Sequence, residues 1–140
     1  MRVITGSARG RRLRELEGLE TRPTTDRVKE GLFSALQFDI EGRRVLDLFA
    51  GTGQLGIEAL SRGAAGCVFV DRRAEAVGCI RENLRLTGLS DRAQVVSGES
   101  MTYLKSVREK FDLIFLDPPY AAGLLEQALA HIARYDLLNP

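Results

Sequence analysis

The chain has 140 residues, with 20 Lys plus Arg against 19 Asp plus Glu and a formal net charge of +1. Its 44% apolar and 28% charged content is ordinary for one domain that buries roughly 70% of its unfolded surface, which excludes intrinsic disorder. Apolar runs such as 113–116 fall far below the ~20 residues of a membrane-spanning helix, and Arg2 opens the chain without a hydrophobic region, so an unexported, cytoplasmic protein is expected.

Residues 1–14 carry Arg2, Arg9, Arg11, Arg12 and Arg14 with no acidic residue before Glu15. Such a cluster neutralises phosphates, so a nucleic-acid partner is one reading. A solvated tail is the other, because no aromatic residue interleaves the arginines. Next, Pro23 biases Arg22 away from helical geometry and Thr24 can cap a helix. Val28, Leu32, Phe33 and Leu36 recur at helical spacing, with Gly42 as a stop signal.

From residue 43 onward, short apolar runs alternate with amphipathic stretches, which argues for α/β. The predicted strands are Val45 to Phe49, Cys67 to Asp71, Gln94 to Ser97 and Phe111 to Asp117; the predicted helices are Leu55 to Arg62, Ala74 to Thr87, Met101 to Val107 and Leu124 to Leu138. Strands this apolar are buried on both faces, so a doubly wound parallel sheet follows. Ligands of that fold sit beyond the carboxyl ends of the strands, where Asp47 to Gly53, Asp71, Glu99 and Asp117 to Tyr120 are gathered.

Gly51, Thr52, Gly53, Gln54, Leu55 and Gly56 form a GxGxxG loop between a strand and a helix, with Asp71 following 20 positions after Gly51. That context suits a nucleoside cofactor whose ribose hydroxyls donate to the acid. A nicotinamide dinucleotide and S-adenosylmethionine both fit. The first would bring a pyrophosphate against Asp47, which repels it; the second brings an ammonium and a positive sulfur, which Asp47 attracts. Asp47 can instead cap loop amides. For Glu99 two readings stand level: it accepts from an adenine amino group, or it is merely solvated while Ser100 caps the following helix.

Asp117, Pro118, Pro119 and Tyr120 follow a buried strand. The two prolines fix φ and remove donors, leaving a rigid turn of acceptors beside an aromatic plate. A planar base with an exocyclic amine fits: Asp117 and the Pro118 carbonyl take its hydrogens, and Tyr120 stacks on its ring. A stiff surface turn is the alternative. Neither Cys67 nor Cys79 lies at this rim as a nucleophile; they form no CxxC or disulfide framework, and His131 cannot complete a zinc site, so no metal is expected.

Asp47-Leu-Phe-Ala-Gly-Thr-Gly, Asp71 and Ile114-Phe-Leu-Asp-Pro-Pro-Tyr120 resemble the class I S-adenosylmethionine-dependent amino-methyltransferases. With Arg9-Gly-Arg-Arg-Leu13, Arg22-Pro-Thr-Thr-Asp-Arg-Val28 and Leu55-Gly-Ile-Glu-Ala-Leu-Ser-Arg-Gly63, nearly the whole chain is similar to the bacterial 16S ribosomal RNA guanine-N2 methyltransferases, the RsmD family. The resemblance implies a Rossmann-like methyltransferase fold over residues 1–140, with a basic arm and helix in 1–42 and the cofactor-binding core in 43–140. It assigns Asp47, Gly51 and Gly53 to the methionine part of S-adenosylmethionine, Asp71 to its ribose and Glu99 to its adenine, with Phe49, Ala50, Arg72 and Ser100 also among the cofactor-binding residues. Asp117, Pro118, Pro119 and Tyr120 would hold the target base, and Arg9, Arg11, Arg12 and Arg22 the phosphates of ribosomal RNA or of the assembling small subunit. A monomer is expected.

Two departures stand out. Glu99 replaces the aspartate common in the family, and only four strands are present where the resemblance implies seven, so the chain is expected to be truncated with its fourth strand as an exposed edge. Competing readings are an adenine-N6 methyltransferase on DNA or RNA, a dinucleotide-dependent oxidoreductase, which leaves Asp-Pro-Pro-Tyr unexplained, and a non-catalytic RNA-binding module.

Overall fold

The computed structural model describes residues 1–16, 26–118 and 123–139. Among these residues four parallel strands, β1 (Arg44–Leu48), β2 (Gly66–Asp71), β3 (Ala93–Ser97) and β4 (Leu113–Leu116), form one sheet in the order β3-β2-β1-β4. Helices α1 (Asp26–Ala35), α2 (Gln54–Ser61), α3 (Ala74–Thr87), α4 (Ser100–Ser106) and α5 (Leu124–Arg134) cover it. The chain moves outward from β1 through β2 to β3, then returns to place β4 on the other side of β1. Asp47 is therefore in register with Phe69 of β2 and with Phe115 of β4.

Alternation along the strands divides the core. Val45, Cys67, Phe69 and Phe115 pack with α1, α2 and α3 on one face; Leu46, Leu48, Val68 and Val70 pack with α4 and α5 on the other. Each large side chain so buried contributes about 1.5–3 kcal/mol. That two-sided burial is why the strands read as continuous apolar runs.

The N-terminal segment departs from the solvated-tail reading. Residues 1–16 fold back as a hairpin, with Arg2 bridged to Arg12, the Val3 N–H on the Arg11 carbonyl at 2.9 Å and the Gly10 N–H on the Val3 carbonyl at 2.8 Å. Val3, Ala8 and Leu13 are buried, whereas Arg9, Arg11 and Arg12 are exposed on the outer side. Buried polar groups anchor the hairpin. Glu58 of α2 accepts the Ile4 and Thr5 N–H groups at 2.8 and 3.1 Å, and Ser61 Oγ accepts from Ala8 at 3.0 Å while donating to the Thr5 carbonyl at 2.6 Å. Lys29 of α1 lies 3.3 Å from Glu58 with both side chains fully buried, and its Nζ donates to the Arg2 carbonyl at 2.8 Å. These hydrogen bonds offset the cost of taking the pair out of water.

Most element ends lie within a residue of expectation, and the departures at α1, α5 and β4 have structural causes. The first helix stops at Ala35, and a turn follows in which the Asp39 N–H donates to Leu36; its expected cap, Thr24, lies outside the described residues. The last helix stops at Arg134 because Asp136, at φ 52, reverses the chain as a left-handed terminator. The returning segment then pairs with Phe111, through Phe111 N–H to the Leu137 carbonyl at 2.8 Å and Asn139 N–H to the Phe111 carbonyl at 2.7 Å. The predicted fourth strand is accordingly split: Phe111 belongs to that bridge with Leu138, and Leu113–Leu116 to the sheet. Among the described residues β4 is an edge strand, with its approach at Phe111 covered. Among the described residues no helix is long and apolar enough to cross a membrane.

Candidate functional site

The chain reverses its outward progression between β1 and β4, and the strand ends around that point carry the candidate residues. The turn after β1 is tightly bent: Phe49, Gly51 and Gly53 have φ of 60, 61 and 80. Glycine adopts such values freely, but Phe49 does so at a cost of roughly 1–2 kcal/mol. Non-glycine strain of this kind concentrates at functional sites. The turn is secured by Ala50 N–H to the Val70 carbonyl at 3.0 Å and Gly53 N–H to the Ala50 carbonyl at 2.8 Å. Gly53 then caps α2, which runs so close to β2 that a Cβ on Gly56 would sit 2.4 Å from Phe69 Cε1 and 2.7 Å from Cys67 Sγ.

Asp47 ends up beneath this turn. It is 2% exposed, and its Oδ2 accepts the Gly56 N–H at 3.0 Å, the amide-capping bond weighed against a cation-attracting role. Burial pushes its carboxyl up to about 8; the Gly56 bond opposes the rise, and the charges of Asp117 and Asp71 add to it. Among the described residues, no group of three His, Cys, Asp or Glu side chains is spaced to hold a metal ion.

Asp71 closes β2. Its Oδ2 accepts the Gly51 N–H at 3.0 Å, and its Oδ1 accepts from the Arg73 N–H at 2.9 Å and Nε at 3.3 Å. The neighbour that engages Asp71 is thus Arg73, while Arg72 is exposed. At the end of β3 the capping role falls to Glu99, whose side chain accepts the Met101 N–H, and Ser100 is the buried first residue of α4. This corrects the reading in which Ser100 is the cap and Glu99 merely solvated.

Asp117 follows β4 on the exposed rim with Pro118 beside it; Pro119 and Tyr120, like Arg22 of the arm, lie outside the described residues. Phe49 packs against the α4 and α5 side of the core and Ala50 against the opposite side.

Asn83, Glu58, Ser61 and Lys29 received no role from the sequence, yet all are buried. A signal was available: Asn83 falls among Val77, Ile80 and Leu84 on the apolar stripe of its helix, where a polar side chain demands a partner. Burial also pushes the Cys67 thiol well above its ordinary value, which removes it as a nucleophile.

A sequence model of the family described as conserved hypothetical protein 95 matches residues 1–140. The Bacillus subtilis (strain 168) protein YlbH is 45% identical over 99% of this chain and 77% of its own length. The protein named ribosomal RNA small subunit methyltransferase D of Haemophilus influenzae is 40% identical over 100% of this chain and 74% of its own length. The solved structure of yhhF from Escherichia coli superposes with a TM-score of 0.90 at 39% identity, over 99% of this chain and 75% of that one. The fold and the similarity along the whole of this chain agree with the Rossmann-like methyltransferase expectation, and the chain belongs to the family described as conserved hypothetical protein 95, the RsmD family.

Proposed function

We propose that the chain transfers a methyl group from S-adenosylmethionine to the exocyclic N2 of a guanine in small-subunit ribosomal RNA, working in the cytoplasm as one domain. The observation that carries this reading is the acceptor-rich set of strand ends: Asp71 and Asp47 accept from Gly51 and Gly56 of the segment opened by left-handed glycines, and Asp117 follows β4, the strand paired beside β1. A ligand bearing an ammonium, a positive sulfur and a ribose diol suits those acceptors, whereas a pyrophosphate would bring further acceptors and negative charge against the Asp71 and Asp117 carboxylates. Asp47 would face the cationic end and Asp71 the ribose hydroxyls. Although Asp71 already accepts from Gly51 and Arg73, a carboxylate offers about four acceptor positions, which leaves capacity for a diol. Glu99 would meet the adenine amino group. When bound, S-adenosylmethionine supplies a methyl group activated by its positive sulfur.

The chain's own contribution centres on Asp117. Its carboxylate and the Pro118 carbonyl would accept the two hydrogens of the target amine, holding nitrogen's lone pair toward the donor, and Tyr120 would stack on the base. Such an amine is a weak nucleophile because its lone pair is delocalised into the ring, so orientation and charge placement lower the barrier. The base must leave its stack to reach this rim. Exposed Arg9, Arg11 and Arg12 on the docked hairpin would bind phosphates, giving residues 1–42 an RNA-binding role and 43–140 the cofactor-binding one. The ribosomal assignment is supported by the name of the Haemophilus influenzae relative.

Incubation with labelled methyl donor, small-subunit ribosomal RNA and a DNA control, followed by nucleoside analysis, tests the reading. Label in N2-methylguanosine from RNA is expected. Label only in N6-methyladenine, or only in DNA, overturns it.

A further inference from the structure

Asn83 of α3 is fully buried, and its amide reaches two separate parts of the molecule. Its Oδ1 accepts the Arg14 N–H at 2.5 Å, and its Nδ2 donates to the Arg14 carbonyl at 3.0 Å and to the Thr52 carbonyl at 3.0 Å. Arg14 lies at the end of the basic hairpin. Thr52 is the residue between Gly51 and Gly53, so its carbonyl reports the orientation of the glycine turn itself. One planar amide thus fixes the end of the hairpin and the turn that frames the rim.

The hairpin holds the same region from a second side. Ile4 and Thr5 donate to Glu58 of α2, the helix that opens directly from Gly53, and the Thr52 hydroxyl lies 3.8 Å from Met1 Sδ. A hairpin lifted from its seat would leave Asn83, Glu58 and the facing backbone groups without these partners, in a buried setting where unpaired polar groups are costly. The docked hairpin and the ordered turn therefore favour each other. A ligand that pins the hairpin down raises the population of the ordered turn, and a ligand that orders the turn steadies the hairpin's seat.

We infer that Asn83 is a positioning residue that couples RNA binding on the hairpin to cofactor binding at the glycine turn, so that the two ligands bind with positive cooperativity. The inference rests on the proposed function for the identity of both ligands. Linkage requires the same factor in both directions, and couplings of this kind commonly lie between about 5- and 150-fold.

The test uses the full chain. Calorimetry gives the dissociation constant of S-adenosylmethionine with and without saturating small-subunit RNA, and of the RNA with and without the cofactor. At least about fivefold mutual tightening is expected. Asn83→Asp retains an acceptor for the Arg14 N–H but loses the donors to Arg14 and Thr52, while Asn83→Ala loses both halves. In either variant both ligands should still bind singly, with the mutual factor falling toward one. A factor of one in the unaltered chain, or an unchanged factor in a folded variant, overturns the inference while leaving the proposed function standing. Failure of either ligand to bind the unaltered chain alone overturns the proposed function instead. Should both variants fail to fold, amide hydrogen exchange on the unaltered chain decides: RNA should slow exchange at Gly51 and Gly53 in the absence of cofactor, and unchanged exchange there overturns the coupling.

Discussion

The Gly56 N–H donates to Asp47 Oδ2 at 3.0 Å, which ties the carboxyl group at the end of β1 to the first turn of α2. The same burial that brings them together pushes the Asp47 carboxyl up to about 8. In the folded state it keeps its proton where the unfolded chain has already released it. Its stabilising contribution is thus fully present below about pH 4 and is lost as the pH rises through 8, with a slope of at most about 1.4 kcal/mol per pH unit. Urea denaturation between pH 5 and 9 should show a shallower decline for Asp47→Asn than for the unaltered chain. Parallel declines would mean that Asp47 is ionised throughout.

A cation bound over Asp47 favours its ionised form. S-adenosylmethionine affinity should consequently rise between pH 6 and 8, and calorimetry in buffers of different ionisation enthalpy should detect up to about one proton released per cofactor bound within that range. Asp47→Asn should bind the cofactor at least tenfold more weakly and lose the proton release.

Asp117 sits on the rim beyond β4 rather than in the glycine turn. Asp117→Ala should keep cofactor affinity within a few fold and remove turnover, as read by single-turnover methyl transfer. Because the Asp117 charge contributes to the raised Asp47 value, the same variant should move the pH midpoint of cofactor binding downward.

Much of this arrangement was legible in the order of residues. Strands buried on two faces are apolar through most of their length, so 45–49 and 67–71 announced themselves, 111–117 did so with its opening residues in a different pairing, and glycines followed by an acid marked the turn. The seat of the hairpin was not legible. It depends on Glu58, Ser61 and Asn83, which are 53 to 69 positions from their partners, and no local window compares such positions. Glu99 was ambiguous for a different reason: a carboxylate at a strand end that opens a helix can serve as cap and as ligand acceptor, and composition does not separate the two. Likewise the left-handed Asp136 carries no glycine to announce it.

Two glycines offer opposite outcomes. Gly56→Ala would force a methyl group against Phe69 and Cys67 and should cost about 1–3 kcal/mol or more. Gly78 is exposed within α3, and a Cβ added there would meet nothing within 4 Å. Alanine at that position gains helix propensity, so Gly78→Ala should stabilise by about 0.5–1 kcal/mol. Denaturation midpoints of the two variants check both signs.

Arg11 and Arg12 are exposed on the outer side of the hairpin. Replacing both by Ala should leave stability within about 0.5 kcal/mol and reduce the slope of log affinity for RNA against log salt by about 1.5. An unaltered slope would detach these side chains from phosphate recognition.

The hairpin's anchors also impose a schedule on biosynthesis. Residues 1–14 leave the ribosome well before the Glu58 and Asn83 side chains that seat them. Until α3 has emerged and packed, the cationic segment has no docking place and stays open to any polyanion nearby, including the ribosome that is making it. The basic segment is therefore made long before it can reach its final position.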